Sequence, residues 1–147
     1  MSTIHILLVE DNEGDILLTT EALIEAGLNH TLSVTRDGWE AIQYLTKNGS
    51  YTNAIRPDLI LLDINLPKLN GHEVLNRVKQ NPDLKEIPVV VLSTSSDERD
   101  IKKSYNSYSN CYIVKPGDIH TFTSVIESIE NFWIKVAELP NNTGNLR

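Results

Sequence analysis

The stretch "IHILLVEDNEGD", residues 4–15, passes without a break from a mainly apolar run into a knot of acids. Ile4 to Val9 is nearly continuous in aliphatic side chains, which suits a strand covered on both faces, as in a parallel sheet between layers of helices. Glu10, Asp11, Glu13 and Asp15 follow at once. Carboxylates crowded together repel: at ~4 Å and an effective dielectric near 20, a like pair costs about 4 kcal/mol. Acids set against the end of a core strand therefore need a partner or a purpose, and the rest of the chain supplies both.

Outward from that stretch the hydrophobic period alternates between strand and helix. From Asp15 the spacing of Ile16, Leu17, Thr20, Leu23 and Ile24 is helical, with Gly27 as the stop. Thr31 to Thr35 alternates and reads as a more exposed strand. Trp39, Ala41, Ile42 and Leu45 mark a second helix that ends at Asn48-Gly49, with loop from Ser50 to Pro57. Leu59 to Leu62 is a buried strand running into Asp63. Val74, Leu75 and Val78 give a third helix after the turn signals Pro67 and Gly71. Val89 to Leu92 is another buried strand, reaching Ser93. The polar helix from Asp97 to Tyr108 offers only Ile101, Tyr105 and Tyr108 as anchors. Cys111 to Val114 then leads to Lys115-Pro116, and Phe122, Val125, Ile126, Ile129, Phe132, Trp133 and Val136 form a long amphipathic helix.

Five strands alternating with five helices predict an α/β domain: a doubly wound parallel sheet with right-handed crossovers and helices on both faces. No repeat or interdomain linker interrupts residues 1–140, which read as one domain, with 141–147 (NNTGNLR) as a frayed tail. Of the 147 residues 40% are hydrophobic and 22% charged, ordinary for a globular protein. The formal charge of -7, from 13 basic and 20 acidic residues, disfavours nucleic acid and anionic membrane as partners, since both are bound by basic patches. No apolar run approaches the roughly 20 residues that span a bilayer. No signal peptide is visible, and the single cysteine, Cys111, cannot form an internal disulfide. A cytoplasmic location is expected.

In an open parallel sheet the carboxyl ends of the strands share one edge, and ligands bind there at the switch in strand order. Glu10, Asp11, Asp63, Ser93 and Lys115 all follow strands, so four distant segments converge. Carboxylates with no Cys or His at zinc-like spacing suit a hard divalent ion, and Mg²⁺ typically takes one or two carboxylates, waters and phosphate oxygens. An EF-hand loop is excluded: its sixth and twelfth positions need Gly and Glu, and counting from Asp11 they hold Ile16 and Ala22. With such an ion, Asp63 suits a carboxylate nucleophile, Lys115 a neutraliser of phosphoryl charge, and Ser93 a hydrogen-bond donor.

"LLVEDN", "PDLILLDINLPKLNG", "IPVVVLSTS" and "NCYIVKP", in that order over nearly the whole chain, resemble the receiver domain of two-component response regulators. The resemblance implies a flavodoxin-like sheet in the order 2-1-3-4-5. It implies that Asp63 accepts phosphate from a histidine kinase, and that Mg²⁺ (or Mn²⁺) is held by Asp11, Asp63 and the backbone carbonyl of Asn65, with Glu10 acting through water. Lys115, Ser93 and Thr94 would bind the phosphoryl group. Ser93 and Tyr112 would be the switch pair, Ser93 moving inward and vacating space that Tyr112 enters. Glu10 stands where Asp is commoner, and Ser93 where Thr is more usual. The loop "GSYTNAIRPDL" together with "NPDLKEIPVVVLSTS" and "IESIENFW" resembles single-domain regulators paired with bacterial and cyanobacterial phytochromes. No output domain follows the last helix, so the signal is expected to pass by protein contact.

Taken singly, these residues have plainer readings. Glu10 and Asp11 also fit helix capping, Asp63 a turn, Ser93 a cap for the next helix, Lys115 a solvated lysine and Tyr112 half-buried packing. Trp39 reads as helix packing, Cys111 as a small core residue, and none of His5, His30, His72 and His120 as a ligand or base. Two rival functions stand beside the phosphoacceptor. One is a binding module that keeps the fold and no longer cycles phosphate. The other is a Mg²⁺-dependent aspartyl phosphatase, which needs a second Asp two positions after the nucleophile, where this chain has Asn65. The protein is thus expected to be a signalling phosphoacceptor and not an enzyme. A weakly anchored fourth helix beside a broad apolar last helix predicts a movable contact face, and a homodimer through the fourth helix, fifth strand and last helix.

Overall fold

The computed structural model describes residues 3–27, 29–115, 118–129 and 131–132. Its strands are β1 (Ile4–Val9), β2 (His30–Thr35), β3 (Leu59–Leu62), β4 (Val89–Ser93) and β5 (Cys111–Val114). They alternate with α1 (Glu13–Glu25), α2 (Gly38–Leu45), α3 (Gly71–Gln80), α4 (Glu98–Asn106) and α5 (Ile119–Ile129). All strand pairs are parallel, in the order β2-β1-β3-β4-β5. The doubly wound topology predicted from the alternation is the one observed.

The strict alternation of side chains along a strand divides the core in two. Leu7, Val9, Ile60, Leu62, Val89 and Val91 face α2 and α3, meeting Ala41, Leu45, Val74 and Val78. Ile6, Leu8, Leu59, Leu61, Val90 and Leu92 face the other way, onto Ile16 and Leu23 of α1 and Phe122 and Ile126 of α5. The three central strands are buried on both faces, as their unbroken aliphatic runs require.

Several expectations change in detail. Helix α1 begins at Glu13, two residues before Asp15, because the Asn12 side chain accepts from the Asp15 N–H and caps it. It buries Ile16, Thr19, Ala22 and Leu23, a single face, so Leu17 and Ile24 lie exposed. Trp39 is about half exposed, its ring lying 5.5 Å beneath the Arg77 guanidinium of α3. The expected loop at Ser50 contains a short 3₁₀ turn, Gly49–Tyr51. Tyr105 and Tyr108 do not anchor α4: both are exposed, and the buried residue of that helix is Ser104. Phe132 is exposed. Trp133, Val136 and the tail at 141–147 lie outside the described residues.

Candidate functional site at the carboxyl edge of the sheet

The backbone ladder continues one residue past three strands and aims the site. The Glu10 N–H donates to the Thr35 carbonyl, the Asp63 N–H to the Val9 carbonyl and the Lys115 N–H to the Ser93 carbonyl, at 3.0, 3.0 and 2.7 Å. Each residue is therefore fixed at its Cα before its side chain makes any contact. The loop after Asp63 is equally constrained. The Gly71 N–H donates to the Ile64 carbonyl at 2.8 Å. A Cβ at Gly71 would press on the Asp63 carbonyl and come within 2.6 Å of Ile64 Cα, so only glycine admits this approach.

Glu10 and Asp63 are buried and Asp11 is exposed, yet their carboxylate oxygens lie within 4.8 Å of one another. Lys115 enters this group from β5 with its side chain buried. Its ammonium donates to Glu10, to Asp15 at 2.9 Å, and lies 3.6 Å from Asp63. One cation thus faces several acids in a water-poor place, and the charges do not balance. Burial, more than any neighbour, pushes the Glu10 carboxyl up to about 7; the Lys115 hydrogen bond opposes this and Asp63 adds to it. Burial also works against the Lys115 charge, but hydrogen bonds to Glu10 and Asp15 outweigh it and raise the ammonium above its ordinary value.

An oxygen-only donor set with surplus negative charge and one open side, at Asp11, fits Mg²⁺ or Mn²⁺. The residues expected at the site are brought together at Glu10, Asp11, Asp63 and Lys115. Asn65 is exposed, and its N–H donates to Asp63 Oδ1 at 3.3 Å. Ser93 is fully buried, its hydroxyl accepting from the Ser95 N–H at 3.1 Å, while Thr94 beside it is exposed. Capping explains none of these positions: α1 is capped by Asn12 and α4 by Asp97.

Tyr112 shows the half-buried packing of its plainer reading. Its ring packs against the α2/α3 side of the core, and its hydroxyl donates to the Ser95 carbonyl at 2.9 Å. Sequence reasoning also passed over Asp15, in the first turn of α1, as a partner of Lys115. His5 is a structural residue away from the site, bonded to Thr31 and Tyr44, and burial lowers its pKa against the pull of Asp58.

Residues 6–127 match the family model described as response regulator receiver domain. The chain is 47% identical to the response regulator Rcp1 of Synechocystis over 135 residues, 92% of each chain. The phosphorylated cyanobacterial phytochrome response regulator RcpA superposes with a TM-score of 0.92 at 50% identity, covering 95% of this chain and all of the other. The Mn²⁺-bound form of Rcp1 superposes with a TM-score of 0.90 at 46% identity, covering 94% and 99%.

Proposed function

We propose, because this chain belongs to the response regulator receiver domain family, that Asp63 is its phosphoacceptor and that a histidine kinase is the donor. The observation that carries this reading is the buried Asp63 carboxylate 3.6 Å from Lys115, with two further carboxylates within 4.8 Å. An Asp63 oxygen attacks the phosphorus of a phosphohistidine protonated on its other ring nitrogen; the O–P bond forms as the P–N bond breaks, the freed nitrogen keeps the electron pair, and the imidazole leaves neutral with the proton it already carried. Lys115 neutralises charge on the transferred group, and the Ser93 hydroxyl and the Thr94 backbone donate to its oxygens. Receiver domains bind Mg²⁺ or Mn²⁺ in an acidic pocket. Here Asp11, Asp63 and the Asn65 carbonyl would hold the ion directly and Glu10 through water, and the ion supplies charge neutralisation at the phosphoryl oxygens.

The likeness to RcpA, a phytochrome response regulator, favours a phytochrome-type kinase as donor. No described helix is long and apolar enough to cross a membrane, and the reading places the protein in the cytoplasm with such a kinase. The exposed Tyr105 of α4, Tyr108 in the turn that follows it and Val114 of β5, with Phe132 beyond α5, support a contact face there and a homodimer through it.

Incubation with acetyl phosphate and Mg²⁺, followed by intact mass, tests the reading. One phosphoryl group should be gained by the wild type and none by Asp63→Asn. Equal labelling of the variant would remove Asp63 from the role.

A further inference from the structure

Between β4 and α4 one residue, Ser95, gathers contacts from four directions. Its N–H donates to the Ser93 hydroxyl at 3.1 Å, and its carbonyl accepts the Tyr112 hydroxyl at 2.9 Å. Its own hydroxyl donates to Asp100 Oδ2 at 2.7 Å and accepts from the Asp97 N–H at 3.2 Å. Asp100, in the first turn of α4, reaches with its other oxygen to His72 Nε2 at 3.1 Å, in the first turn of α3. A continuous path therefore runs from His72 through Asp100 and Ser95 to both Ser93 and Tyr112.

The seam between α3 and α4 has little else to hold it. Ile101 is half-buried and Ser104 is the buried residue of α4, with an unpartnered hydroxyl one turn along from Asp100. His72 is itself buried with its Nδ1 unpartnered. Apolar packing does not fix α4 here, and unpartnered polar atoms weaken the seam. The Asp100 carboxylate, accepting from both sides, does the fixing. Ser95 and His72 hold its carboxyl below the usual carboxylate range, as an anion paired in place must be.

We propose that His72 and Asp100 are positioning residues that act through Ser95. They form a latch that clamps the β4–α4 loop so that the Ser95 carbonyl is presented to Tyr112 and the tyrosine is held inward. The link of this latch to signalling rests on the reading of Ser93 as the phosphoryl-binding hydroxyl, since Ser93 and Tyr112 then meet on one residue. The hold on Tyr112 does not depend on that reading.

The test uses the full chain and the nitration of individual tyrosines by tetranitromethane, mapped by mass spectrometry. Exposed Tyr108 serves as the rate reference and buried Tyr44 as the check on folding. In wild type Tyr112 should react more slowly than Tyr108. Asp100→Ala and Ser95→Ala should raise the Tyr112 rate about tenfold relative to Tyr108, the shift that loss of one hydrogen bond of ordinary net strength produces. Ser95→Thr, which keeps the hydroxyl, should restore protection. His72→Leu, which removes the donor on the other side of Asp100, carries the comparison if Tyr44 also becomes reactive in Asp100→Ala. Tyr112 protected as in wild type in folded Asp100→Ala, or in His72→Leu where Asp100→Ala fails to fold, would overturn the latch. Labelling by acetyl phosphate is followed in the same samples. Its absence in wild type would sink the phosphoacceptor reading and leave the nitration comparison standing.

Discussion

Lys115 and Asp15 stand 100 residues apart in sequence and are joined by a hydrogen bond of 2.9 Å. That bond turns the lysine's charge partly away from Asp63, which lies at 3.6 Å. The ammonium proposed to meet a phosphoryl group is therefore shared, and Asp15 competes for it. Asp15→Ala should release Lys115 toward Asp63 and speed labelling by acetyl phosphate about threefold, of the order one partly exposed charged hydrogen bond is worth. A slower rate than wild type would show that Asp15 assists and does not compete.

Lys115→Met removes the cation and leaves Glu10 and Asp63 buried without it. Breaking a buried ion pair from one side costs roughly 3–5 kcal/mol, so metal-free unfolding by urea should show a loss of that order. Added Mg²⁺ should return part of the stability, while labelling of Asp63 falls at least about tenfold, as expected when a charge-stabilising donor is lost. Stability equal to wild type in EDTA would contradict the buried pairing.

The acidity of Glu10 sets a pH dependence with a definite sign. Its carboxyl is pushed up to about 7 in the folded chain from an ordinary value of 4.5. The folded state thus holds a proton that the unfolded state has released, and stability falls as pH rises from 4.5 through about 7. The full effect is on the order of 3 kcal/mol. Burial lowers the His5 pKa and gives a slope of opposite sign near its ordinary 6.5, and that slope is common to wild type and Glu10→Gln. In EDTA, wild type should therefore lose stability relative to Glu10→Gln between pH 5 and pH 8. Since a divalent ion competes with this proton, Mg²⁺ should raise the wild-type Tm more at pH 8 than at pH 6. Parallel curves for the two proteins in EDTA would reject the shift.

Gly71 is predicted to be intolerant of even one methyl group. A Cβ there meets Asp63 and Ile64 backbone, which cannot rotate away as a side chain can. Gly71→Ala should cost about 1–3 kcal/mol of overpacking strain and displace the loop that carries Asn65, slowing labelling as well. A variant with wild-type stability and labelling would mean that the loop yields freely.

Tyr108 is the most exposed aromatic described, 75% accessible on the α4 side. Tyr108→Asp should weaken any self-association through α4, β5 and α5 about tenfold or more, a typical loss for a central interface aromatic. Sedimentation velocity with and without beryllium fluoride reads this directly. A monomer in all conditions, for wild type as well, would leave this face without a second copy of the chain as its occupant.

The sheet and its site edge were legible in the chain because both depend on local pattern. Leu59 to Leu62 and Val89 to Leu92 have no polar residue to place in water, so they must lie between two layers, and parallel pairing then sends Asp63, Ser93 and Lys115 to one edge. Helix faces were less legible. Leu17 and Ile24 of α1 are as apolar as Ile16 and Leu23, and only the direction in which the helix crosses the sheet decides which pair is covered.

What the sequence by itself determined is the order of elements, the two-faced core and the identity of the carboxylates and lysine at the carboxyl edge. These follow from periodicity, which acts over a few residues and has few solutions. Only the tertiary structure decided that Asp15 shares Lys115, that Tyr112 bonds the Ser95 carbonyl, and that Asp100 joins His72 to Ser95. Each of these contacts joins polar groups from distant parts of the fold. A hydrogen bond is satisfied within a few tenths of an ångström or not at all, and that distance is set by how the helices seat on the sheet, which no pattern along the chain records.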